Sequence, residues 1–162
     1  MLRGAMAALL LAVSLASVAR AQATLDAGVK PEVRIDAITS RSTTVLQLGG
    51  GVQIPAGYYA RAGVIGALGA PVSSGAQGVG GRLDVIVRFL FDPFREHAWG
   101  LSAGAGVSVR AAEHDRLRPY LATVIDLEGR RSAGGVSPAF QLGLGGGVRV
   151  GAALRWGGRV TR

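Results

Sequence analysis

Few residues in this chain have the type and spacing to do covalent chemistry, and Ser102 is the first to weigh. It sits in GLSAG, Gly100 to Gly104, a match to the G-x-S-x-G nucleophile elbow. That elbow needs a sharp strand-to-helix turn to lift the hydroxyl out of the fold. Ser102 instead lies within WGLSAGAGVSVRA, Trp99 to Ala111, a run with strict two-residue alternation and no helix pattern after it. His114, directly after Glu113 and before Asp115, is the only later histidine and has the wrong layout for a triad partner. His97, in FREHAW, reads as a turn residue. Two isolated histidines in a chain without cysteine make no zinc site. The glycines at 49–51 and 145–147 complete neither G-x-G-x-x-G nor a phosphate-binding loop. No catalytic, cofactor-binding or metal-ligating residue is therefore assigned, and no cofactor is expected.

The elements that carry these residues all repeat every two positions. In Trp99–Ala111 the odd positions are Trp, Leu, Ala and Val, while the even ones are Gly, Ser and finally Arg110. Such alternation puts the two strings on opposite faces of a β-strand. The same pattern restarts along the chain. EVRIDAI sets Val33, Ile35 and Ile38 against Glu32, Arg34 and Asp36. VLQLGGGVQI sets Leu46, Leu48, Val52 and Ile54 against Gln47, Gly49, Gly51 and Gln53, and Pro55-Ala56-Gly57 then turns the chain. YYARAGVIGALG follows, then the loop APVSSGAQG. GRLDVIVRFLF is the plainest strand, with Leu83, Val85, Val87, Phe89 and Phe91 opposing Arg82, Asp84, Ile86, Arg88 and Leu90. LRPYLATVIDLEG alternates likewise, with Arg118, Tyr120, Asp126 and Glu128 on its polar side. SPAFQLGLGGGVRVGAALRW is too long for one ordinary strand, and a turn within Gly145–Gly147 divides it into two. The sum is an all-β meander of eight strands.

Length and composition narrow the setting. The 162 residues suit one domain. Residues 1–23, MLRGAMAALLLAVSLASVARAQA, combine an early arginine, an apolar run and small residues at Ala21 and Ala23, the layout of a secretory signal peptide. Cleavage is expected after Ala23, with Ala21 the other site, leaving 24–162 as the barrel domain. Basic residues outnumber acidic ones by 18 to 10, and Lys30 is the only lysine. Because the arginines recur singly along alternating strands, not in one patch, nucleic-acid binding is not expected.

The polar string decides which face meets water. A soluble barrel would show Lys, Glu and Thr to solvent, whereas this string is Gly, Ser and Arg. Glycine on a solvent face weakens a strand and adds no solubility. Inside a narrow closed barrel, small side chains leave room for a few long ones. Arg34, Arg82, Arg88, Arg110, Arg118, Arg149 and Arg155 are thus expected to point inward beside Glu32, Asp36, Asp84, Asp126 and Glu128. The apolar string would face lipid, with Tyr58, Phe91, Trp99 and Trp156 as interfacial aromatics.

Through GRLDVIVRFLF, WGLSAGAGVSV and FQLGLGGGVRVG the chain resembles the small outer-membrane β-barrels of Gram-negative bacteria, the OmpA/OmpX-like type. The resemblance implies an eight-stranded antiparallel up-and-down transmembrane β-barrel in the cell outer membrane. It also implies a monomer whose partners are outer-membrane lipids and the barrel-assembly machinery. One departure is the ending Val160-Thr161-Arg162, where such barrels usually close on an aromatic residue. The expected role is non-enzymatic, structural or interactive, with the lumen plugged by arginine–carboxylate pairs. Two alternatives are a secreted soluble barrel holding an apolar ligand, with the faces reversed, and a lipid-modifying barrel enzyme, which His114, Glu113 and Asp115 bring to mind.

Overall fold

A computed structural model describes residues 28–41, 43–72, 78–94, 96–112 and 115–157. The expected leader, Glu113, His114 and the Val160–Arg162 ending lie outside the described residues. Eight strands follow in chain order: β1 Lys30–Ser40, β2 Thr43–Pro55, β3 Ala60–Pro71, β4 Gly80–Leu90, β5 Gly100–Ala112, β6 Asp115–Glu128, β7 Val136–Leu144 and β8 Val148–Trp156. Each pairs antiparallel with its chain neighbours, and β1 pairs with β8 to close the barrel. The last two strands divide at Gly145–Gly147, where Gly146 takes φ +71°, a conformation glycine adopts without a Cβ clash. Closure gives every strand two partners and leaves no free sheet edge along most of the wall.

Burial runs opposite to that of a water-soluble protein. The residues most enclosed include Arg34, Arg88, Arg155, Asp36, Asp84 and Asp126, while Leu48, Val87 and Ile125 are more than half exposed. The faces follow the alternation of the sequence, with one slip. Ile38 shares the inward face with Glu32, Arg34 and Asp36 and is buried, not outward with Val33 and Ile35. Parity along β1 dictates this, since residues 32, 34, 36 and 38 share one side of a strand. Ile65 and Ile86 are also fully buried, filling the lumen where no charge does.

The ends of the barrel differ. At the lower end, where Gly28 and Gly157 lie, the connections span 56–59, 91–99 and 129–135. At the upper end β1–β2 and β7–β8 turn within two or three residues. All the aromatic side chains except Tyr120 belong to the lower half. Tyr59 stacks on Phe89 at 5.9 Å and meets Phe94 edge-on at 6.4 Å, Phe89 meets Phe91 at 5.6 Å, and Trp99 packs on Phe140 at 6.4 Å. The outward residues of the upper end are aliphatic: Leu46, Leu68, Leu117, Leu121, Leu144 and Val148.

Candidate functional site

The lumen concentrates the polar chemistry of the chain. β1 contributes Glu32, Arg34 and Asp36 at successive inward positions, so one strand holds a guanidinium between two carboxylates. Arg34 donates from Nε and Nη2 to both oxygens of Asp36, at 2.8 and 2.7 Å, and from Nη1 to Glu32 at 3.1 Å. Arg155 of β8 bridges three carboxylates, Glu32 at 2.9 Å, Asp126 at 3.0 Å and Glu128 at 3.3 Å. Arg88 of β4 donates to Asp126 at 2.6 Å. Lys30 and Arg61 reach Glu128 from the lower rim at 3.4 and 3.2 Å.

Glutamines extend these pairs. Gln53 donates to Glu32 at 2.6 Å, and Gln141 donates to Asp126 at 2.8 Å while accepting from Arg34. Higher up, Arg82 reaches Asp36 at 2.5 Å and Asp84 at 3.1 Å, and Arg149 donates to Asp84 at 2.6 Å. The groups form one connected network from Lys30 near the lower mouth to Arg149 near the upper. Such interior pairs hold only because each charge lost from water regains close partners.

Most of the residues expected inside are inside. Arg34, Arg82, Arg88, Arg149 and Arg155, with all five carboxylates, are buried there. Arg110 is half-buried at the upper mouth, where its Nη1 donates to the Gly146 carbonyl at 3.1 Å and its guanidinium lies 5.5 Å from the Tyr120 ring centre. Arg118 departs from expectation: it has inward parity but stands exposed, because β6 continues above the point where its pairing with β7 ends at Thr123–Leu144. Composition gave no sign of the bridging glutamines, whose amide groups both donate and accept.

The inward glycines do two different things. At Gly63 a Cβ would stand 2.9 Å from Arg88 Nη1, so that glycine makes room for the side chain, while at Gly104 a Cβ would meet both the Val87 carbonyl at 2.5 Å and Arg88 Cγ at 2.8 Å. At Gly106 a Cβ would collide with the Val85 carbonyl and the Ile86 Cα across the sheet. That glycine permits close backbone approach and gives no room to an arginine, so space for guanidinium groups explains only part of the string.

Ser102 lies inside β5, buried, level with Asp126 on β6 and Leu90 on β4. The strand-to-helix turn of a nucleophile elbow is not there. His97 lies in the β4–β5 connection with its ring exposed, 3.3 Å from Asp92. Asp92 also accepts the backbone N–H groups of His97 and Glu96 at 3.1 Å each, and these bonds hold its carboxyl below the usual carboxylate range. On the outer wall, the short β7–β8 hairpin leaves an open groove lined by Thr39, Leu121, Leu144 and Val148.

Neither a protein-family model nor a curated protein sequence matches the chain. Among solved structures, Neisserial surface protein A (NspA) matches with TM-score 0.55 and 11% identity over 79% of this chain and 94% of that one. At that identity the likeness is one of fold. The shared fold is a small, closed, eight-stranded antiparallel β-barrel.

Proposed function

We propose that the chain is a non-enzymatic integral outer-membrane β-barrel with a structural or interaction role, its lumen plugged by arginine–carboxylate pairs. One observation carries this reading: ionised side chains are buried in the lumen while Leu, Val and Ile cover the outer wall. In water that wall would be an apolar surface far larger than soluble monomers expose. In a bilayer it is the expected lipid face, and barrel closure satisfies the backbone within lipid. The lower aromatic rim suits the headgroup zone of one leaflet. Entry to that membrane fits an exported precursor, with residues 1–23 removed, and a monomer delivered by the barrel-assembly machinery.

The lumen of an eight-stranded barrel is filled by side chains or holds at most one small ligand, and is too narrow for a continuous water column. Here Arg34, Arg88 and Arg155 cross it with partners on β1, β6 and β7. Purified protein in a planar bilayer is therefore expected to give no stable single-channel steps. Regular conductance from a monomer would overturn the plug. Recovery in outer-membrane fractions with heat-modifiable gel migration supports insertion, and recovery in detergent-free periplasmic extract overturns it.

The soluble ligand-binding alternative required the apolar string inside, and no observation favours it. The enzymatic alternative rests on His114. Unchanged membrane lipid profiles in His114→Ala cells leave it without support.

A further inference from the structure

The upper half of the lumen holds more positive charge than its carboxylates meet. Arg82 and Arg149 approach the same oxygen, Asp84 Oδ2, at 3.1 and 2.6 Å. Arg110 stands opposite Arg82 in the β4–β5 register, and Ser108 stands opposite Asp84. The other carboxylate within reach, Asp36, already receives Arg34 on both oxygens before Arg82 adds a third bond. Arg82 and Arg149 thus share one carboxylate and part of a second, and Arg110 adds a third guanidinium whose hydrogen bond goes to the Gly146 carbonyl.

The surplus is visible atom by atom. Arg149 Nε and Nη2, Arg82 Nη1, Arg110 Nε and Ser108 Oγ are buried and meet no hydrogen-bond partner among the described residues. Arg82, Arg149 and Ser108 are only 4%, 3% and 1% exposed as residues, so bulk solvent does not serve these donors. Buried donors on charged groups are costly unless something accepts from them. Asp84 Oδ1 is also without a partner, and a rotating Ser108 hydroxyl one position across the sheet can donate toward it or toward a ligand.

We propose that Arg82, Arg110, Arg149 and Ser108 form a binding site for a small inorganic anion of halide size in the upper lumen. Several N–H groups from three side chains suit a spherical ion, which sets no fixed acceptor directions. The half-exposed Arg110, hydrogen-bonded to the β7–β8 turn, stands at the mouth through which the ion exchanges.

The test uses the full chain refolded into detergent micelles, so it does not depend on membrane insertion or on the conductance result. Refolding is done in sodium chloride or, at equal ionic strength, in sodium gluconate, whose anion is too large for the site. The expected result is an unfolding midpoint that climbs with the logarithm of chloride concentration and stays flat in gluconate. Arg149→Met should lose most of that chloride dependence. If that variant does not fold, Arg110→Met at the half-exposed position takes its place. Independently, the parent protein should broaden the chlorine-35 NMR line, and added bromide should narrow it again. Equal responses to chloride and gluconate, or a linewidth insensitive to bromide, would mean that water alone serves these donors and would overturn the site.

Discussion

The lower and upper halves of this barrel solve the same interior problem with different stoichiometry. Below, Glu32, Asp126 and Glu128 face Arg34, Arg88 and Arg155, with Gln53 and Gln141 taking up further positions. Above, Arg82 and Arg149 share Asp84 with Arg110 across the sheet from Arg82, and buried N–H groups are left over there as they are on Arg88 below. The lower half also carries the aromatic rim, whereas the upper rim is aliphatic. The lower outer edge is suited to a headgroup layer, and each lower carboxylate meets at least two cations, with Lys30 and Arg61 joining Arg155 at Glu128. The comparison teaches that one alternating pattern can build a multiply bridged ionic plug at one end and, at the other, an arginine-rich cluster with fewer carboxylates.

The largest effect that would separate the halves is loss of the central lower cation. Arg155→Met leaves Glu32, Asp126 and Glu128 each short of a partner, and removing one member of a buried charge network costs about 3–5 kcal/mol. Equilibrium urea unfolding in lipid vesicles should show that loss. A cost no larger than that of Arg149→Met, measured in gluconate, would erase the distinction drawn here. Next comes the outer wall. Val87→Arg places a cation on the lipid face and should cost about 2–4 kcal/mol near the bilayer midplane. Folding yields equal to the parent's would mean that the wall does not meet lipid.

A smaller effect is expected at the lower rim. A double-mutant cycle on Trp99 and Phe140 should return a coupling of about 0.5–1.5 kcal/mol, typical of a packed aromatic pair. No coupling would reduce the rim to unconnected side chains. The smallest belongs to the β4–β5 connection. The Asp92 carboxyl is held below its ordinary value, so its stabilising bonds are present above about pH 4 and are lost as pH falls through the depressed value. Exchange protection of the Glu96 and His97 amides, corrected for intrinsic rates, should therefore drop at acid pH. In Asp92→Asn that drop should vanish.

Much of this architecture was readable beforehand because a strand writes its facing into every second residue. GRLDVIVRFLF and WGLSAGAGVSV placed Arg82, Asp84, Arg88 and Ser102 on the inner face directly, and Gly145–Gly147 marked the last hairpin. Facing, however, says nothing of who meets whom across the lumen. That depends on the stagger accumulated around eight strands, which brings Arg155 beside Glu32, Asp126 and Glu128. The exposure of Arg118 escaped for a related reason, since it follows from where β7 stops and not from any property of β6. Gln53 and Gln141 carried no signal, because a glutamine in a polar string reads the same whether it bridges charges or fills space.

The β1–β8 seam has a meaning for the order of assembly. Seven of the eight seams join strands consecutive in the chain, so each can zip from a nearby turn at modest loop-closure entropy. The eighth brings Glu32 to Arg155 across 123 residues of chain. Contacts of such high sequence separation make β-rich topologies slow to fold. The meander becomes a barrel in that single non-local event, and Arg155 forms its contact with Glu32 only then. The lower ionic cluster therefore works as a latch, completed by the act of closure and acting afterwards against its reversal.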